Sequence, residues 1–162
     1  MPPNVPEKPA DNALPFWKTL ALSEMSRAQW ESLCDHCGRC CLHKIEDVDS
    51  GAVFYTSVVC RYMDADTCHC SCYGQRSQRV PDCLVLTPDL LERLTWLPDT
   101  CAYRLLAEGK DLPRWHPLVS HDRHSVHGAG ISVRGKVVPE TCVHPDELVE
   151  NIIHLDPADW EE

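Results

Sequence analysis

Apolar residues in this chain come in short bursts separated by polar, turn-forming text, and each burst predicts a short element. Leu14, Phe16, Trp17 and Leu20 form a first cluster able to dock on a domain. Ser26-Arg-Ala-Gln29 is a capping box: the serine accepts from a first-turn amide and the glutamine reaches back to the cap N–H. Trp30 and Leu33 follow at helical spacing, continued by Cys34 and Cys37, so a helix is expected to deliver the cysteines to the core. Residues 52–60, Ala-Val-Phe-Tyr-Thr-Ser-Val-Val-Cys, are β-branched and aromatic and predict a strand, with Phe54, Thr56, Val58 and Cys60 on one face. Residues 61–83 hold too few large apolar residues for a core of their own.

Thr87-Pro88-Asp89 predicts a helix start in the order cap, proline, acid, with Leu90, Leu91, Leu94 and Leu97 as its stripe and Pro98 as its end. A second short helix is expected between Thr100 and Gly109, with Tyr103, Leu105 and Leu106 packing. Trp115-His-Pro-Leu-Val119 is an apolar connector. Ile131–Val138 predicts a hairpin about Arg134-Gly135, and Pro145-Asp-Glu a final helix carrying Leu148, Val149, Ile152 and Ile153. The sum is a small, partly irregular α+β domain organised around a cysteine-rich segment.

With 162 residues and 43% hydrophobic content, one domain is expected over 14–162. It follows a disordered tail at 1–13, which holds four prolines. The formal charge of −10, from 25 acidic and 15 basic residues, argues against nucleic-acid or anionic-membrane partners, which need clustered Lys and Arg. No stretch is apolar enough to span a bilayer. The first residues have neither the basic nor the apolar region of a secretory signal. Eleven cysteines without an export signal point to the reducing cytoplasm, where dense thiols serve as metal ligands more often than as disulfides.

The densest stretch is Cys34-Asp-His-Cys37-Gly-Arg-Cys40-Cys41. Two-residue spacing lets two sulfurs reach one ion while the intervening amides turn toward them. On a helix Cys34, Cys37 and Cys41 would share a face, and Cys40 would stand about 100° round from Cys41. Adjacent side chains pointing apart do not close on one tetrahedral ion. The Cys40-Cys41 pair is therefore expected to serve two metals or two corners of one cluster, with Gly38 a candidate break in the helix.

This run, continued by Cys60, Cys68, Cys70 and Cys83, resembles the bacterial CxxCxxCC family, described as a zinc- or iron-chelating domain. Longer phrases are similar to its YcgN-like branch of uncharacterised proteins. They are Trp30-Glu-Ser-Leu-Cys34, Cys40-Cys41-Leu-His-Lys44, Val80-Pro-Asp-Cys83, Trp96-Leu-Pro, the stretch from Cys101 to Pro113, and Trp115-His-Pro117. The similarity runs from about Phe16 to Val138. It implies metal binding and offers no established reaction. Larger proteins with a similar run are flagellin lysine methylases; this chain shows no Gly-rich methyl-donor site, so that activity is not carried over.

Eight sulfurs result, Cys34, Cys37, Cys40, Cys41, Cys60, Cys68, Cys70 and Cys83. They suit two tetrahedral ions, or one ion or cluster with thiols to spare. Cys101, in a leucine-bearing segment, is read as core; Cys72 as a spare or alternative ligand; Cys142 as unremarkable. His36 and His69 adjoin ligands without being needed, and His121, His124 and His127 fall in a loop. Arg39, Lys44, Arg61, Arg76 and Arg79 could offset thiolate charge. No P-loop, dinucleotide fingerprint, nucleophile elbow or His-Glu-x-x-His is present, and a site closed by cysteines is structural in character. The expected function is zinc or iron binding at one or two ions. The alternative is an iron–sulfur or non-haem iron redox protein or enzyme using the same thiols.

Overall fold

The computed structural model describes residues 13–155; the tail expected at 1–13 lies almost entirely outside them. Its elements in order are α1 (Phe16–Thr19), α2 (Arg27–Ser32), β1 (Leu42–Glu46), β2 (Val53–Val59), α3 (Arg76–Arg79) and α4 (Pro88–Leu91). There follow α5 (Ala102–Ala107), α6 (Pro117–Ser120), α7 (Ser125–Gly128), β3 (Val138–Pro139) and β4 (Ile152–Ile153), with 3₁₀ turns among them. The fold is α+β. Helices of four to six residues are too short to hold themselves, so their stability comes from packing.

β2 is the central strand. β1 pairs with it antiparallel, with Leu42 opposite Val59 and Glu46 opposite Val53, and the register is irregular between Leu42 and Lys44. At that irregularity the Thr56 hydroxyl donates to the His43 carbonyl at 2.8 Å. The far edge of β2 is shared: β3 runs parallel beside Val58 and Val59, and β4 antiparallel beside Tyr55 and Thr56. Glu140, just after β3, ties the sheet together. It accepts from the Arg61 amide and Nε, both at 2.9 Å, and its other oxygen pairs with His43 Nε2 at 2.7 Å.

Two hydrophobic cores result. One is helical: Leu33, Leu91, Leu97, Ala102, Tyr103 and Leu112, walled by Trp17, Trp30 and Trp96. The other lies on the sheet: Leu42, Val59, Met63, Cys68 and Val133. Leu33 belongs to the first and Leu42 to the second, so the cysteine run is pinned at one end in each core. Buried His116 fixes the near end. Its Nε2 donates to the Leu33 carbonyl at 2.9 Å while Nδ1 accepts the Leu118 amide at 3.1 Å.

The capping box forms as expected, with Ser26 and Gln29 exchanging bonds of 3.2 and 2.9 Å, but α2 stops at Ser32 instead of carrying the cysteines. His36 (φ 58°) and Gly38 (φ 80°) are left-handed, which a right-handed helix does not admit. The leucine helix after Thr87 is a single turn. The helix after Thr100 is capped by Cys101 instead. The expected hairpin at 131–138 is a turn without a ladder: the Val133 N–H is taken by the Cys37 carbonyl at 2.8 Å, and those of Ile131 and Ser132 by Val126 at 3.2 Å. The last helix is a 3₁₀ segment, Pro145–Asn151, and Ile152 and Ile153 pair with β2 instead.

Candidate metal centre

Gly38 sets the path of the cysteine run. A Cβ there would stand 2.6 Å from Val133 Cγ2 and 3.1 Å from Met63 Sδ, so only glycine satisfies both the space and the positive φ. Beyond it, the 3₁₀ turn Arg39–Cys41 sends successive side chains apart, and the cysteines sort into two sets.

The first set is Cys34, Cys37, Cys40 and Cys101, each acting electrostatically on others of the group, with Cys41 also within reach of Cys34. Burial, then the Asp35 carboxylate, pushes the Cys34 thiol up to about 12 and the Cys37 thiol well above its ordinary value. Cys34 and Cys40 are nonetheless exposed at the surface, while Cys37 and Cys101 are buried. The amides of His36 and Arg39, two residues past Cys34 and Cys37, oppose the rise by facing the sulfurs. That is the arrangement by which backbone N–H groups support thiolate ligands. Cys101 is the acidic member. A hydrogen bond with Cys40 holds it down and pushes Cys40 up, and the Tyr103 and Arg104 amides of α5 add to the effect without forming an ordinary cap bond. Cys101 thus packs in the helical core, as its surroundings suggest, and also faces Cys40.

Asp35 lies in the same place. Its Oδ1 accepts the Cys37 amide at 3.0 Å, while Oδ2 is buried with no hydrogen-bond partner. An unpaired buried carboxylate oxygen is costly, and a nearby cation relieves it.

The second set is Cys41, Cys60, Cys70 and Cys83, with Cys72 beside Cys70. Burial, then Cys60, Cys70 and Cys83, pushes the Cys41 thiol up to about 11. The Cys70 and Cys72 sulfurs are 3.8 Å apart. Lys44 stands between the two sets, within electrostatic reach of Cys40, Cys41 and Cys83. Its ammonium donates to the carbonyls of Cys40 and Leu42 at 2.9 and 2.8 Å and lies 4.4 Å from the Trp96 ring centroid. Burial lowers its pKa, and no carboxylate pairs with it among the described residues.

Cys68 is placed differently. It is buried in the sheet core in a left-handed conformation (φ 58°), where the amides of Val133 and Arg134 and the Ser132 hydroxyl face its sulfur. Burial pushes its thiol up, and Arg134 and those donors, rather than other thiols, oppose the rise. His36 and His69 stack with centroids 3.8 Å apart, joining the first turn of the run to the 68–72 loop. His124 and His127 approach each other at 6.2 Å, and His127 Nδ1 bonds Ser132 Oγ at 2.6 Å. Among the described residues no three His, Cys, Asp or Glu side chains close tightly enough to enclose an ion; the thiols are gathered, not clenched. The donor chemistry still fits a soft divalent metal: many thiols, amides aimed at sulfur, an orphan carboxylate oxygen and a half-buried counter-cation. Asp35 and the part played by Cys101 were not read from the sequence; the N-cap position just before an apolar segment was the available signal for Cys101.

Residues 33–102 match the model of the CxxCxxCC family, described as a "putative zinc- or iron-chelating domain". That segment takes in both thiol sets and ends one residue past Cys101. This defines the class, a cysteine-rich domain of a family for which zinc or iron chelation is suggested. The chain is 60% identical over 145 residues to a UPF0260 protein of Mesorhizobium japonicum, covering 88% of this chain and 98% of that one. It is 55% identical over 141 residues to one of Marinobacter nauticus (87% and 95%), and 54% identical over 150 residues to one of Rhodopseudomonas palustris (92% and 88%). The chain belongs to the UPF0260 proteins of the CxxCxxCC family. No solved structure matches it. Among the described residues no helix is long and apolar enough to cross a membrane.

Proposed function

We propose that this protein binds two zinc or ferrous ions, one at Cys34, Cys37, Cys40 and Cys101 and one at Cys41, Cys60, Cys70 and Cys83. The observation that carries this reading is the parting of Cys40 from Cys41. Neighbouring thiols join different sets, and each set is completed to four by cysteines distant in sequence, which is the donor count of a closed tetrahedral site. Asp35 and Lys44 support it. Each is a charged group whose surroundings make sense once a cation sits among the thiols. Cys68 is assigned to the core rather than to a metal. The bound ions would supply cross-links between the helical core, the sheet core and the 60–83 loop; no open coordination position, and hence no reaction, is assigned.

The test is elemental and sulfide analysis of anaerobically purified protein, followed by the same on Cys37→Ser, Cys60→Ser and Cys68→Ser. Two ions per chain without acid-labile sulfide, falling to one in each of the first two variants and unchanged in the third, is expected. Acid-labile sulfide would replace this reading by a cluster protein, and retention of both ions in Cys37→Ser or Cys60→Ser would overturn it.

A further inference from the structure

The second set has one thiol too many. Cys41, Cys60, Cys70 and Cys83 meet the needs of a tetrahedral ion, yet Cys72 lies beside them. In a tetrahedral zinc site with bonds of about 2.3 Å, two sulfurs stand about 3.8 Å apart. The Cys70–Cys72 separation is 3.8 Å, so that pair already spans one edge of such a site. Cys72 and Cys83 are also placed alike. Each is half-exposed and acts within reach of Cys60 and Cys70, and each has its own guanidinium: Arg79 near Cys72, Arg76 near Cys83. Both arginines belong to the single turn of α3. A groove of about 490 Å³, lined by Tyr62, Ser71, Cys72, Tyr73 and Arg79, opens directly on Cys72.

We propose that Cys72 and Cys83 are alternative fourth ligands of the second ion, which makes that centre the site of metal exchange and the first a fixed one. This rests on the two-ion reading above. In the exchange step a Cys72 sulfur–metal bond forms as the Cys83 sulfur–metal bond breaks, and the Cys72 proton passes to the departing Cys83 thiolate. Metal and sulfur keep their oxidation states. Cys72 lines the groove, so an ion held by it would be open to an outside ligand from that side. Arg79 has no carboxylate partner among the described residues and bonds Gln75 Oε1 at 3.1 Å, so an anionic chelator is favoured there.

The experiment loads zinc anaerobically into the full chain and into Cys72→Ser, Cys83→Ser and the double variant. It counts ions and follows release into the anionic chelator 4-(2-pyridylazo)resorcinol. The expected result is two ions in the wild type and in each single variant, one in the double variant, and biphasic release whose fast phase slows at least about tenfold in Cys72→Ser and is kept or quickened in Cys83→Ser. The first ion, kept throughout, certifies that the variants fold. Loss of the second ion in either single variant, its retention in the double variant, an unchanged fast phase in Cys72→Ser, or a slowed one in Cys83→Ser overturns the proposal. A wild-type chain that fails to hold two ions overturns the two-ion reading itself.

Discussion

The two thiol sets differ most in what holds their sulfurs. In the first, Cys34 and Cys37 follow Leu33, which is buried in the helical core and bonded by His116, and Cys101 caps α5 inside that same core. In the second, Cys41 and Cys60 sit at the ends of paired strands, bridged by the Cys60 amide and the Cys41 carbonyl at 3.1 Å. Cys70, Cys72 and Cys83, however, ride on a polar loop whose only ladder contact outside the strands is Met63 with Cys70. A sulfur on a packed element costs little to keep in place. A sulfur on a loop must have its order supplied by whatever it binds. On the two-ion reading the first centre would therefore belong to the folded core, and the second would order a loop that the sheet core grips only through Met63 and Cys68.

The largest expected effects break this comparison directly. Cys37→Ser should cost several kcal/mol and lower the midpoint of the thermal transition, with protection lost in both cores, since it removes a ligand from the centre proposed to join them. Cys60→Ser should keep the transition and lose amide protection mainly over 60–86. Hydrogen exchange on the two variants checks this, and equal, global loss of protection in both would remove the distinction.

Next in size is Gly38→Ala. The new methyl meets Val133 at 2.6 Å in a left-handed backbone, so a loss of about 2–4 kcal/mol is expected from denaturant midpoints. Gly51→Ala, with φ 72° and nothing within 4 Å, should cost only about 1 kcal/mol.

Lys44→Met sharpens the comparison by acting on both sets at once. Losing the cation that faces Cys40, Cys41 and Cys83 should weaken chelator-competed affinity at both centres by about tenfold, with Lys44→Arg in between. An effect on one centre alone would place the ammonium with that centre only.

The smallest effect concerns the sheet that presents Cys41 and Cys60. Burial raises the pKa of Glu140, but the Arg61 amide and guanidinium and His43 outweigh it and hold the carboxyl below its ordinary value. A group depressed in this way stabilises the fold above the ordinary glutamate range and loses that contribution as pH falls through its lowered value. Glu140→Gln should therefore cost about 1 kcal/mol at neutral pH and nothing in strong acid, as urea titrations at the two pH values will show.

Much of this was legible locally. The Ser26 capping box and the 53–59 strand are short-range matters of hydrogen-bond chemistry and β-branched packing, and both were readable from neighbouring residues. The helical continuation through Cys37 was not, because its defeat depends on Val133 and Met63 crowding Gly38 from far along the chain. The 131–138 hairpin failed for a similar reason: the amide of Val133 that a ladder needed is taken by Cys37, 96 residues away by number. The density of cysteines, the division implied by an adjacent pair, and membership of a metal-chelating family were all properties of the chain as written.

What the sequence determined by itself, then, is the donor chemistry: sulfur in excess, at spacings suited to a soft divalent ion. Only the tertiary structure decided how the sulfurs are shared out. It brought Cys101 from α5 to Cys40, drew Cys41 toward Cys60, Cys70 and Cys83, and withdrew Cys68 into the sheet core. Ligand spacing within a loop is a local property that one segment carries. The fourth member of each set depends on which distant elements pack together, and that follows from burial of Leu33 and Leu42 in two different cores.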